Sequence, residues 1–378
     1  MNAHGYLESI MPTREEIDAF IDPRRAANNG WTFDAELGWV HCDAVHENGV
    51  DQSRTYYHYE PDGARRVVNC AGAPCRVHTY GDSFTHCDQV SDGETWQEYL
   101  AAHLQEPIRN YGVGGYSVYQ AYRRMLSVEK RQPAPFIILN IWADDHFRNL
   151  DAWRSIRSGR HTRCGFPLPH LQVDVPQDRC EQVENIIRRP EEVHRLCDTQ
   201  FVCSTFEHDH VLGLMTKTAA DPGTARKLVG QAQVVAGNIE QAKLPDPALA
   251  QRIAADHTEA ALFATKKVVG WTEQFVQQNA SKLFVILSYS RQLMADDLEG
   301  RPRFDQGFVD WLRQRPSPVF DMRDAFRRDY AGSKLEIDTY LDRFYNGHHT
   351  PQGNFFTAWS LKEELVKWLE PSPLPYRE

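Results

Sequence analysis

Pro135-Phe136-Ile137-Ile138-Leu139-Asn140-Ile141-Trp142 is apolar almost throughout and reads as a strand buried on both faces. Lys282-Leu283-Phe284-Val285-Ile286-Leu287-Ser288-Tyr289 repeats the pattern. Shorter runs at Arg76–Tyr80, Ile108–Tyr111 and Val319–Asp321 read as further strands. Between them the period changes from continuous to helical. Trp96, Leu100 and Leu104 fall on one face of a helix over 95–104. Ser117 is placed to cap a helix running to about Val128. A helix near 305–314 and an amphipathic helix from about Gly353 to Leu369 complete the series. Strands alternating with helices predict an α/β fold, a three-layer α/β/α sandwich on a parallel, flavodoxin-like doubly wound sheet.

Two regions break this rhythm. Residues 1–72 are rich in aromatics and turns, and predict a β-rich N-terminal extension. Within it, 54–60 reads as a strand, Pro61-Asp62-Gly63-Ala64 as a turn and 65–68 as a second strand. Residues 73–378 then form one catalytic domain, interrupted at about 147–280 by a mainly helical insertion, with long amphipathic helices over 246–279.

Composition narrows the function. Hydrophobic residues make up 41% of the 378 and charged residues 25%, which suits a packed core. A formal net charge of -10 disfavours nucleic acid and anionic membrane as partners. No apolar run approaches the roughly 18 residues of a membrane span. Met1 to Pro23 lacks an apolar leader core, so a cytoplasmic location is expected. The eight cysteines include no CxxC pair. Reduced thiols are therefore expected, with no metal and no cofactor.

Three short runs carry candidate chemistry. Gly81-Asp82-Ser83 follows a strand and precedes a helical region, which places Ser83 at the carboxyl end of the sheet beside free backbone N–H groups. Asn110-Tyr111-Gly112-Val113-Gly114-Gly115-Tyr116 stands at a similar junction, where glycines let backbone approach a ligand. Its spacing does not fit a dinucleotide fingerprint, and it lacks the lysine of a phosphate loop. His348-His349-Thr350-Pro351-Gln352-Gly353 precedes the last helix and offers a general base. Each run alone also reads as an ordinary turn or loop.

Together the three runs resemble the conserved blocks of the SGNH (GDSL) hydrolases, over roughly residues 76–145 and 282–370. The resemblance implies a serine esterase with Ser83 as nucleophile and His348 as base. His349 remains an alternative base. The Ser83 and Gly115 N–H groups would form the oxyanion hole. Asp144 stands where the family has an asparagine donor, in Trp142-Ala143-Asp144-Asp145. An ionised aspartate cannot donate, so Asp144 serves the hole only if protonated, or the two N–H groups act without it. The family's acid position is Tyr345 here, so Asp342 is assigned, with Asp338 nearby and a serine–histidine dyad left open.

The insertion would form a lid or substrate wall. Trp142, Asp145, Arg148 and Tyr116 are the expected substrate contacts, with Arg148 pairing either with an aspartate or with an anionic substrate group. The expected substrate is a small-molecule or carbohydrate ester. An acyltransferase or lipid-acting relative, or a binding protein that kept the fold, are the alternatives, and a homo-oligomer is compatible with the sequence.

Overall fold

All seven residues of the strand Phe136–Trp142 are buried, as their uniform apolarity requires, and this strand is the middle of the sheet. The computed structural model describes residues 2–22, 24, 30–160, 166–218, 221–229 and 246–377. In chain order the extension holds β1 (Trp31–Asp34), β2 (Gly38–His41), β3 (Ala44–Glu47) and β4 (Arg54–Tyr57). The main sheet takes β5 (Val77–Tyr80), β6 (Ile108–Asn110) and β7 (Phe136–Trp142). The hairpin β8 (His170–Asp174) and β9 (Arg179–Val183) lies in the insertion. β10 (Lys282–Ser288) and β11 (Val319–Asp321) return to the main sheet, and β12 (Tyr345–Asn346) with β13 (His348–His349) forms a last short hairpin.

The five-stranded sheet has the order β11-β10-β7-β5-β6, with every pairing parallel. The chain starts at β5, steps to one side for β6, then crosses back to build β7, β10 and β11. The order reverses between β5 and β7, and a doubly wound sheet opens a crevice at the carboxyl ends of the strands there. Gly81-Asp82-Ser83 leaves the end of β5, and Ala143-Asp144-Asp145 leaves the end of β7. Helices cover the sheet as the periodicity requires. Trp96, Leu100 and Leu104 are buried, and Ser117 caps the helix Val118–Glu129 by accepting from Gln120 N at 3.0 Å.

The extension carries helices as well as the strands expected of it. It opens with helices Ala3–Ile10 and Arg14–Ile21, the second fixed by a Thr13/Glu16 capping box. The turn at Pro61-Asp62-Gly63 forms, with Glu60 N donating to Ala64 O at 2.8 Å and Gly63 at φ +83°. The strand expected after it does not form. Arg65 N instead donates to Asn110 O at 2.7 Å, which binds this segment to the end of β6, and β4 pairs with β3. The insertion holds the helix Pro247–Gln278 and several shorter ones, but also the β8/β9 hairpin. His170-Leu171-Gln172-Val173-Asp174 gave no apolar run by which to foresee it.

Extension and insertion share a core. Tyr6, Leu7, Ile10 and Ile17 pack with Trp153, Ile156, Phe206 and Ile253, and the cluster takes in Trp39, Val113 and Tyr116. Tyr6 OH donates to Ile156 O at 2.7 Å. The two regions thus cover the sheet end as one packed layer around the Gly112–Gly115 loop. The seven described cysteines are free thiols, and Cys164 lies outside the described residues. No helix among the described residues is long and apolar enough to cross a membrane. Leu7→Ala should lower the main unfolding transition by about 2–5 kcal/mol in urea denaturation, because Leu7 is fully buried in the shared core. A main transition left unmoved would mean that the extension unfolds separately.

Candidate active site

Gly81 has φ +156°, and a Cβ on it would overlap Thr85 Oγ1 and the Asn140 carbonyl. Only glycine lets β5 turn this tightly into the helix Ser83–His86. Asp82 caps that helix by accepting from Phe84 N at 2.9 Å. Ser83 is the first helical residue, so its N–H has no intrahelical acceptor. The Gly-rich loop is bound to the same corner. Val113 N donates to Gly81 O at 3.1 Å, and Gly112 N to Asn110 Oδ1 at 3.0 Å. A Cβ on Gly112 would strike the backbone of Thr85 and His86. Gly115, at φ +82°, has an N–H that makes no hydrogen bond among the described residues.

The β12/β13 hairpin brings the histidines in. Gly347 turns it at φ +79°, and successive residues of β13 then face opposite ways. His348 Nε2 lies 2.9 Å from Ser83 Oγ. His349 points inward, edge-on to Phe84 and against Tyr345.

The other side of His348 meets Gln89. Gln89 Oε1 accepts from His348 N at 2.8 Å and lies 3.0 Å from His348 Nδ1. A backbone N–H can only donate, so the group facing it is the amide oxygen. That oxygen accepts, which requires the proton on Nδ1 and leaves the Nε2 lone pair aimed at Ser83. Gln89 Nε2 donates to Asn48 O at 3.0 Å, and Asn346 Nδ2 to Gly49 O at 3.3 Å. The extension therefore holds both the orienting amide and the histidine hairpin.

Asp342 is bound away from His348. Its carboxylate is exposed and binds Arg291 Nε at 2.8 Å, and Asp338 binds the same guanidinium at 2.9 Å. Gln89 occupies the position that Asp342 was expected to fill.

Asp144 is corrected as well. Arg157 grips its two oxygens at 2.9 and 3.1 Å, and Arg148 Nε donates at 2.9 Å. Burial pushes its carboxyl up, but the charges of Arg157 and Arg148 outweigh burial and hold it well below the usual carboxylate range. It stays ionised and cannot donate to an oxyanion. Arg157 also binds both oxygens of Asp151, so Asp144 clamps the start of the insertion rather than lining the hole.

The residues expected to contact substrate make contacts within the chain. Asp145 is buried, accepting from Trp142 N at 3.0 Å and Arg148 Nη1 at 2.9 Å. Burial and neighbouring Asp82 push its carboxyl up. Burial also raises Asp82, against the pull of Arg148. Asp82 Oδ2 lies 3.3 Å from Ser83 Oγ and 3.4 Å from Arg148 Nη1, so the arginine sits one carboxylate away from the serine. Trp142 stacks on Phe84 at 5.2 Å with Arg148 over its ring. Tyr116 is fully buried in the shared core, its hydroxyl donating to Trp39 O at 2.5 Å.

His41, His86 and Asp88 lie beyond Gly114, with ligand atoms within 4.8 Å of one another. They do not fit a cation as they stand. His41 Nε2 already accepts from Gly114 N at 2.9 Å, and His86 Nε2 faces Tyr59 OH at 2.6 Å.

No protein-family model matches the chain, and no curated protein matches it. Among solved structures it is similar to a G-D-S-L family protein from Desulfitobacterium hafniense DCB-2, provisionally classed there as lipolytic. That match has 10% identity and a TM-score of 0.33, and covers 77% of this chain and 99% of the other.

Asp144→Asn should cost about 3–5 kcal/mol of stability, measured by chemical denaturation, because it strips a buried ion network of one charge. An unchanged midpoint would show that the carboxylate is not part of that network.

Proposed function

We propose that this chain is a serine hydrolase of the SGNH type that cleaves a carboxylic ester through an acyl-enzyme. The observation that carries the reading is the 2.9 Å approach of His348 Nε2 to Ser83 Oγ, with the ring's other nitrogen committed to Gln89. Ser83 Oγ attacks the acyl carbon as its proton passes to His348 Nε2. The alcohol leaves with that proton. Water then attacks the acyl carbon, giving a proton to His348, and Ser83 recovers one as the acid departs.

Gln89 acts as a positioning residue. It fixes the tautomer and ring plane, as the carboxylate of a triad does, without adding a negative charge. The developing oxyanion is assigned to the Ser83 and Gly115 N–H groups. Loss of one donor from such a hole costs about 100–1000-fold in rate, so a two-donor hole predicts a slow enzyme on simple esters. An intact serine–histidine contact favours catalysis over a binding role.

A fluorophosphonate probe should label the wild-type protein and fail to label Ser83→Ala. Equal labelling of both would remove Ser83 as nucleophile. Gln89→Leu should cut the labelling rate about 10–100-fold by freeing the ring. Gln89→Glu should restore much of it and move the acid limb of the pH–rate profile to higher pH, because an added carboxylate stabilises the imidazolium. A profile identical to wild type in Gln89→Glu would exclude a Gln89–His348 contact.

A further inference from the structure

Beside the serine lies a carboxylate that the proposed reaction does not use. Asp88 follows the helix of the nucleophile, its N–H donating to Ser83 O at 3.0 Å. Its Oδ1 is bound to His86 Nδ1. A carboxylate can only accept, so His86 Nδ1 carries the proton of that bond. The neutral ring's Nε2 then accepts from the Tyr59 hydroxyl at 2.6 Å, whose proton burial retains. Burial pushes the Asp88 carboxyl up, but the neighbouring His86 outweighs burial and holds it well below the usual range.

Asp88 Oδ2 makes no hydrogen bond among the described residues, and the side chain keeps 26% of its surface exposed. It faces Gly114, where a Cβ would lie 3.0 Å from it and cover it. Gly114 immediately precedes Gly115, whose N–H is assigned to the oxyanion hole, and the charge of His348 reaches the Asp88 carboxylate. The neighbours bring it no proton. His41 Nε2 is itself an acceptor for Gly114 N, and His41 Nδ1 is turned to Gly30 O at 2.9 Å. The neighbouring side chains therefore leave a fixed, charged acceptor to be met by solvent or by a ligand's donor.

We infer that Asp88 is a specificity-determining residue that takes a hydrogen bond from a free hydroxyl on the substrate, close to the ester being cleaved. The inference rests on the reading of Ser83 as nucleophile. It makes the preferred substrate an ester of a polyol or sugar. A bare carboxylate near a developing oxyanion opposes catalysis, whereas a hydroxyl that donates to it disperses the charge. Selection therefore acts on kcat/KM. A cationic group would also satisfy the oxygen, but His348 becomes positive in each transition state and repels a second cation in the same recess.

The test compares glycerol 1-acetate with n-propyl acetate, equal in chain length, and with acetylcholine as the cationic arm. Wild type should prefer glycerol 1-acetate over both by about tenfold or more, in line with the price of leaving a built acceptor unpaired. Asp88→Asn keeps the shape and the bond from His86, and should bring the glycerol-to-propyl ratio to within about twofold of unity. Its melting temperature, measured alongside, reports folding. A wild-type ratio near one, or a ratio unchanged in Asp88→Asn, overturns the inference, as does a preference for acetylcholine. Wild-type Ser83 that labels with fluorophosphonate while neither neutral acetate turns over also overturns it. Failure of labelling marks instead the failure of the underlying reading.

Discussion

A single buried guanidinium holds the site together. Arg65, 1% exposed, donates to the carbonyls of His86, Cys87 and Val90 at 2.6, 2.9 and 2.5 Å, and to Asp92 Oδ1 at 3.1 Å. The first two are carbonyls left unpaired at the end of the short helix that begins with Ser83. The planar fork of an arginine suits several fixed acceptors at once. Asp92 balances its charge and also receives His58 N. The segment it gathers, 86–92, carries Asp88 and Gln89, and neither has regular secondary structure to hold it. Cys87 and Gln89 even take left-handed φ values of 65° and 71°. The extension thus positions the segment that faces His348 from outside the sheet.

What could be read from the sequence divides along physical lines. β7 and β10 were legible because a strand buried on both faces leaves no polar alternation. Ser83, Gly115 and His348 were legible because each sits at a strand or helix junction marked by glycine or proline. Gln89 carried no mark. Its role comes from a hairpin 259 residues away, and an amide in a loop has no periodicity. Asp342 is close to His348 in the sequence, but Arg291 captures its carboxylate from another element, which spacing along the chain does not reveal. Tyr116 was an aromatic beside the glycines, and its burial depends on Trp39, 77 positions earlier.

Asp144 shows how one substitution changes an architecture. An asparagine there would offer a donor to the reaction. The aspartate instead collects Arg157 and Arg148, and Arg157 and Arg154 collect Asp151. A buried ion network of this kind contributes less to net stability than to fixing one arrangement, and breaking any member is costly. Here it fixes the exit of the insertion from β7, while Arg154 Nη1 donates to Gly115 O at 2.6 Å. The carbonyl of the glycine is held by the same ions that removed a donor from beside its N–H.

The shared core of extension and insertion has a consequence for how the chain is made. Tyr6, Leu7 and Ile10 leave a ribosome some 150 to 250 residues before the surfaces they bury, Ile156, Phe206 and Ile253 among them. At about 5–20 residues per second, the opening helix waits many seconds with its apolar side uncovered. Such early, sticky segments are what chaperones hold. Residues 6–10 are thus placed late, and the Ser83–His348 corner is completed only when the histidine hairpin has arrived.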